Sequence, residues 1–404
     1  MRIQHLQQNM TVRLILILFT VPFSGMCIDI YVPSLPALTT FFHTTPQMVQ
    51  LTVPAFLLGL GIAQVIFGTL SDSLGRRPLL LAGLLCSIVT FIGASMSPSI
   101  EWLLFWRFLQ GIALASPAAI IKAVLTDSFA RDRLAKVVNY TTMCWALGPI
   151  IAPAIGGYLQ TFFHWQATFI CLSIYALLLC IAIFFLLPET IQERQPLSLN
   201  SKINDMKLIL ANPIFLSLVC ILILSYGYLL IFNVLGPFLV QHSMQYSAAL
   251  YGQMAMVLGF GSFCGSMLNR FLLNYFSNQR LLLLAGICLL LASFVFCVVS
   301  LLFPLTLLTL VLPCFLLFAI SSMAFTNAFG LILSLYPQKT GIANSLFGSI
   351  LLLGTALITY IAGFTHLKSQ RPMMWLYMIF SALALLLAFY TIRKFKHQAN
   401  TQAT

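Results

Sequence analysis

Gly68-Thr69-Leu70-Ser71-Asp72-Ser73-Leu74-Gly75-Arg76-Arg77-Pro78 is a short polar island between two long apolar runs. The Gly-x-x-x-Asp-x-x-Gly-Arg-Arg spacing combines glycines that permit a tight reversal with an aspartate able to accept hydrogen bonds from a helix N-terminus. Its arginines can hold carboxylates or lipid phosphates. An ordinary basic turn between two membrane helices explains the arginines but not the full pattern. On either side of it, the alternation of apolar run and short charged loop continues along the chain.

The 404 residues are 60% hydrophobic and only 7% charged, a composition outside that of soluble domains. Runs of roughly 20 apolar residues can each cross a hydrocarbon core of about 30 Å. Spans are expected at 12–36, 47–70, 79–97, 102–126, 137–160, 167–187, 213–239, 248–272, 281–303, 306–333, 341–364 and 373–392. The fold class is therefore an all-α membrane protein with twelve transmembrane helices in two six-helix bundles. The one long polar interruption sets the domains. Residues 1–187 form an amino-terminal bundle, 188–212 a cytoplasmic linker, and 213–404 a carboxyl-terminal bundle with a short cytoplasmic tail.

The net charge of +12 would fit a nucleic-acid binder only if Lys and Arg formed one soluble face. They lie instead in short loops, so no nucleic-acid partner is expected and the surroundings are a lipid bilayer. Assigning alternate loops to opposite sides places Arg2, Arg76, Arg77, Arg131, Arg133, Arg194, Arg270, Arg280, Lys339, Arg393 and most other cations together. The opposite side receives only Lys368 and Arg371. The positive-inside rule makes the first side cytoplasmic, with both termini inside. The ten cysteines all fall in apolar runs, so no disulfide framework follows. Met26 before Cys27 is a poor processing site and the apolar run continues past it, which favours an uncleaved first helix.

Two echoes point to parallel repeats. Arg77-Pro78-Leu79-Leu80-Leu81-Ala82-Gly83 returns as Arg280-Leu281-Leu282-Leu283-Leu284-Ala285-Gly286, and Asp29-x-x-x-Pro33-x-Leu35 returns at nearly the same offset as Asn233-x-x-x-Pro237-x-Leu239. Such duplication is common in transporters. Asn233 keeps the shape of Asp29 without its ionisation.

The chain's acids are Asp29, Asp72, Glu101, Asp127, Asp132, Glu189, Glu193 and Asp205, and only Asp29 falls well inside a span. An ionised Asp in a membrane helix costs about 3 kcal/mol, which favours a pathway or coupling role. Arg107 is the matching cation. Both are expected roughly 8 to 10 Å below the outer boundary at 1.5 Å per residue, and a buried ion pair between them would lower the desolvation cost of each. A static pair that only fixes packing is the competing reading. Gln110, one turn from Arg107, is a cavity candidate with Tyr31, Tyr226 and Asn233. Lys122 is expected to snorkel to an interface, and Met256, Phe260 and Phe263 to make core or lipid contacts. His43, His164, His242 and His366 show no ligand spacing, so no metal site is expected. No nucleophile–base set or phosphate-binding loop is present in the sequence, which disfavours an enzyme, an ATP-driven pump or a bound cofactor.

The Gly68–Pro78 island resembles the signature loop of the major facilitator superfamily, which implies two six-helix bundles around a central cavity. There the island, with Gly68, Asp72, Gly75, Arg76 and Arg77, would act as a conformational gate. Arg107-Phe108-Leu109-Gln110-Gly111 resembles that superfamily's fourth-helix motif, associated with proton coupling. Gly148-Pro149-Ile150-Ile151-Ala152-Pro153-Ala154-Ile155-Gly156-Gly157 resembles the fifth-helix motif of its drug/proton antiporters, with Cys144 where a glycine is frequent. Physically, the two prolines remove backbone donors and Gly148, Ala152 and Gly156 make a smooth packing face.

Together with Ile28–Pro36 and Asn327–Asn344, these motifs are similar to the bicyclomycin-resistance (Bcr/CflA) branch. That resemblance implies a monomeric exporter of small amphipathic drugs or metabolites in a bacterial inner membrane. It would be driven by inward proton flow without a cofactor. Val21 stands where some related exporters carry a second acid, so a neutral or zwitterionic substrate is easier to accommodate than a dication. A nutrient uptake symporter on the same fold is the alternative.

Overall fold

The computed structural model describes residues 9–129, 131–191, 199–336, 340–365 and 369–403. Arg2, Arg194, Lys339, His366 and Lys368 lie outside the described residues. Among the described residues, twelve helices are long and apolar enough to cross a membrane: α1 (Met10–Phe41), α2 (Pro46–Leu74), α3 (Arg76–Ser95), α4 (Ile100–Ser128), α5 (Met143–Phe163), α6 (Gln166–Leu186), α7 (Pro213–Ser243), α8 (Ala248–Leu272), α9 (Asn278–Leu302), α10 (Leu307–Leu335), α11 (Ile342–Gly363) and α12 (Arg371–His397). Several outrun the expected spans. The helix containing α5 starts at Arg131 and that containing α12 continues to Ala403. Apolarity marks hydrocarbon, whereas the backbone ladder continues as long as each amide finds its carbonyl.

Helix α1 departs from the single expected span. It is α-helical over Met10–Asp29, tightens into a 3₁₀ turn at Val32–Ser34, and resumes over Leu35–Phe41. Two prolines account for this. Pro33 cannot donate to the Asp29 carbonyl, nor Pro36 to that of Val32, so two consecutive turns lose a rung. The break falls at Asp29, the acid expected well inside a span.

The chain divides into two compact units, residues 1–198 with 247–256, and residues 199–246 with 257–404. In the first, α1 packs on α5, α2 on α4, and α3 on both α4 and α6. In the second, α7 packs on α11, and α9 on both α10 and α12. The same pairings therefore recur at corresponding positions, as parallel repeats require. Close approach depends on glycine in both. A Cβ on Gly59 would lie 2.2 Å from the Phe108 carbonyl oxygen, and one on Gly265 would lie 1.9 Å from that of Ala319. Within the linker region, Leu199–Leu210 is a helix that belongs to the second unit. All ten cysteines are free thiols.

Candidate functional site

Asp29, Tyr31, Arg107 and Gln110 are all buried, at 1%, 0%, 0% and 0% exposure. The break in α1 explains how they meet. A helix end leaves carbonyls without intrahelical partners and gathers partial negative charge, and Arg107 of α4 reaches one of them. Its Nη1 lies 3.5 Å from the Cys27 carbonyl oxygen and donates to Gln110 Oε1 at 2.7 Å, while its Nε lies 3.4 Å from the Thr52 carbonyl oxygen. Gln110 Nε2 donates in turn to the Thr90 carbonyl at 3.1 Å, which fixes the amide.

The guanidinium is otherwise sandwiched by aromatic faces. Its carbon lies 4.0 Å from the Tyr31 ring centroid, 4.3 Å from that of Phe56 and 6.0 Å from that of Phe169. Desolvated contacts of this kind contribute about 2 kcal/mol or more. The Tyr31 ring is held in turn by a 3.1 Å hydrogen bond between its hydroxyl and that of Thr52.

Arg76 forms salt bridges with Asp72 and with Asp127, whereas the contacts described for Arg107 are of another kind. Carbonyls, an amide and aromatic faces neutralise the cost of burying Arg107. Arg107 touches Cys27 and Tyr31, which stand two residues on either side of Asp29 in α1, so the contacts of the cation bracket the acid along the chain. Thr52, Phe56 and Phe169 were not singled out in the sequence, since uncharged members of apolar helices carry no distinguishing pattern.

The Gly68–Pro78 island forms a clasp. Gly68 is helical, and the reversal falls entirely on Gly75 (φ +105°), the single residue between α2 and α3. The guanidinium of Arg76 donates to Asp72 Oδ1 at 2.7 Å, to Asp127 Oδ2 at 3.1 Å and to Ser71 Oγ. Glu189 caps the next helix, accepting the backbone N–H of Arg76 at 3.0 Å and of Arg77 at 3.2 Å, where the helix dipole favours an anion. A Cβ on Gly75 would lie 2.6 Å from Glu189 Oε2, so glycine is required by both φ and proximity. Arg77 donates to the Phe184 carbonyl and stacks over its ring at 5.6 Å. The chain has only eight acids, and the two that complete the clasp, Asp127 and Glu189, each follow an apolar run. That scarcity was the signal that could have found them.

In α5, Pro149 and Pro153 lie inside the helix, and the glycines serve two faces. Gly148 stands in ordinary contact with α1, a Cβ there lying 3.6 Å from the Pro22 carbonyl oxygen, whereas one on Gly156 would lie 1.7 Å from that of Ile30. On the other face, a Cβ on Gly157 would lie 2.5 Å from the Ala248 carbonyl oxygen, and one on Gly252 would lie 2.3 Å from that of Pro153. These contacts explain why residues 247–256 cluster with the first unit.

The remaining candidates lie elsewhere. Asn233 is 1% exposed within the second unit. Tyr226 is half-buried, its ring 6.4 Å from that of Phe325. Met256 and Phe260 are exposed, and Phe260 stacks on Phe263. Lys122 has an exposed side chain near the end of α4.

The sequence profile of the Major Facilitator Superfamily matches residues 17–359. The chain belongs to this superfamily. It is 36% identical over 175 residues to a bicyclomycin resistance protein homolog of Haemophilus influenzae, a match covering 43% of this chain and 44% of that protein, less than half its length. It is 25% identical over 363 residues to the multidrug resistance protein MdtL of Escherichia coli O157:H7, covering 90% of this chain and 91% of the relative. The crystal structure of a D-xylose-proton symporter superposes with a TM-score of 0.75 at 13% identity, over 95% of this chain and 96% of the symporter. At that identity the likeness is one of fold. The superfamily member described here is a multi-pass membrane transporter.

Proposed function

We propose that this chain is a proton-coupled exporter of small amphipathic drugs or metabolites. It works by alternating access, moving substrate out and protons in. The observation that carries the reading is Asp29, an acid buried at 1% exposure where the first transmembrane helix breaks. An acid at that depth is costly, and such residues mark ion or substrate pathways. The resistance proteins among its relatives support export.

In this reading Asp29 takes up and releases the proton. Arg107, fixed by Gln110 and the Tyr31 and Phe56 rings, supplies a permanent positive charge nearby. Tyr31 and Gln110, with Tyr226 and Asn233 from the second repeat, are the substrate-facing candidates. The clasp of Asp72, Gly75, Arg76 and Arg77 with Asp127 and Glu189 stabilises one conformation from the cytoplasmic side, and the glycine face of α5 permits close sliding contact. Residues 1–187 and 213–404 are the alternating bundles. The protein acts as a monomer in the bacterial inner membrane with both termini cytoplasmic, and a proton gradient drives it without a cofactor.

The test is substrate-dependent proton movement in inverted vesicles, with wild type and Asp29→Asn compared across a drug panel. The variant should lose coupled proton movement. Full coupled antiport by Asp29→Asn would remove the assignment, and counterflow of labelled sugars or organic acids would favour uptake instead.

A further inference from the structure

Helices α9 and α12 pack antiparallel, and two contacts fix their register. Ser293 Oγ donates to the Tyr377 carbonyl at 3.3 Å, and a Cβ on Gly286 would lie 3.1 Å from Leu385 Cδ1. Continuing six residues back along α9 and six forward along α12, about 9 Å at 1.5 Å per residue, brings Arg280 level with Thr391. Arg393 and Lys396 follow within two turns, and all three cations are exposed. In the first repeat the corresponding helix ends hold an anion of their own, since Glu189 beyond α6 accepts the Arg76 and Arg77 amides at the start of α3. The offset that carries Arg77 to Arg280 carries Glu189 to Ile392, next to Arg393. The second unit contains one acid, Asp205, in a helix that packs on α7 and α11. Cations thus stand where the first repeat has its carboxylate.

We infer that this end of the second unit binds the headgroup of an anionic phospholipid, its phosphate held by Arg280 and Arg393 with Lys396 beside them. Guanidinium groups match phosphate oxygens in charge and geometry, and basic residues just outside a membrane helix are drawn to anionic lipid. Ser277 caps α9 through the Arg280 amide, which leaves the side-chain charge to be matched from outside. The turn that leads into α9 sets the depth. Its Phe271, Tyr275 and Phe276 are exposed, with the Phe271 and Tyr275 rings 5.4 Å apart, and aromatic side chains at the end of a membrane helix sit at headgroup level. The anion that the first repeat supplies from its own chain is supplied to the second by the bilayer.

The experiment titrates the purified full chain in detergent with palmitoyl-oleoyl phosphatidylglycerol or with phosphatidylcholine of the same chains, and counts bound lipid by native mass spectrometry. Wild type should prefer phosphatidylglycerol. Arg280→Gln with Arg393→Gln should weaken phosphatidylglycerol binding at least about tenfold and leave phosphatidylcholine binding unchanged. Ile392→Glu, which places a carboxylate where the first repeat has Glu189, should weaken it too. Two charges removed elsewhere, in Arg13→Gln with Lys207→Gln, separate a site from a generally basic surface, and an equal loss there overturns the inference. It is also overturned if wild type shows no preference, or if equimolar inorganic phosphate displaces the lipid, which would make this a free-anion site. Should the double Gln variant fail to fold, Ile392→Glu decides: unchanged phosphatidylglycerol binding in that variant refutes the site.

Discussion

Helices α1 and α7 carry the same spacing, an Asp or Asn four residues before a proline, and give it different backbones. In α1 the α-helix stops at Asp29 and a 3₁₀ turn follows. In α7 the α-helix runs through Asn233 and Pro237 to Phe238, and the irregularity is deferred to a wide turn at Leu239–Ser243. In α7 one missing amide lies within the α-helix, whereas in α1 the break coincides with two missing amides three residues apart, at Pro33 and Pro36. The acid occupies the broken helix and its amide counterpart the intact one, though both are buried at 1% exposure. The difference extends to packing. Helix α1 meets α5 through backbone, Ile30 against Gly156, whereas α7 meets α11 through a side chain, a Cβ on Gly354 lying 2.4 Å from Ile223 Cδ1.

Exchanging the two residues is the strongest way to break this contrast. The double variant Asp29→Asn with Asn233→Asp keeps the number of acids but moves the carboxylate to the unbroken helix of the second unit. Coupled transport should stay at least about tenfold below wild type, a difference of about 1.4 kcal/mol in coupling; recovery in proton-flux assays would show that the acid's location is immaterial. Asn233→Asp alone adds a second buried acid and should lower stability by about 3 kcal/mol, read as a fall in folded yield and in detergent melting temperature. The glycine contrast is finer. Gly156→Ala should cost about 3 kcal/mol and Gly354→Ala about 1 kcal/mol, the two ends of the overpacking range, since Ile223 can rotate and the Ile30 carbonyl cannot. Equal losses in thermal unfolding would deny the distinction. Smallest is Glu189→Gln, which weakens an anion at the N-terminus of α3 and should cost about 0.5 kcal/mol. Its loss should shrink at high salt, and a salt-independent loss would assign Glu189 to packing instead.

Twelve helices and a duplicated order were legible because hydrophobicity is summed over many residues and survives local error. The break in α1 was not, although Pro33 and Pro36 were in view. Hydropathy counts side chains, while the break is a matter of backbone donors. The Asp29 and Arg107 pairing was read from charge and depth alone, and those cannot reveal that Tyr31 and Phe56 would close over the guanidinium. The clasp was half legible. Arg76 and Asp72 lie four residues apart on the chain, but Asp127 and Glu189 arrive from distant helix ends. The close approach of residues 247–256 to α5 had no local signal, since it depends on glycines in two helices remote from each other in sequence.

The placement of residues 247–256 with the first unit has a consequence for dividing the chain. A fragment ending at 198 would leave the Pro153 and Gly157 face of α5 bare to lipid, and a cut at the midpoint of the duplication would not release two self-sufficient halves. Co-expressed pieces should associate and restore transport best when the first half of α8 is supplied by the longer partner. The repeat and the compact unit are therefore different segments of polypeptide, offset by a few turns of helix.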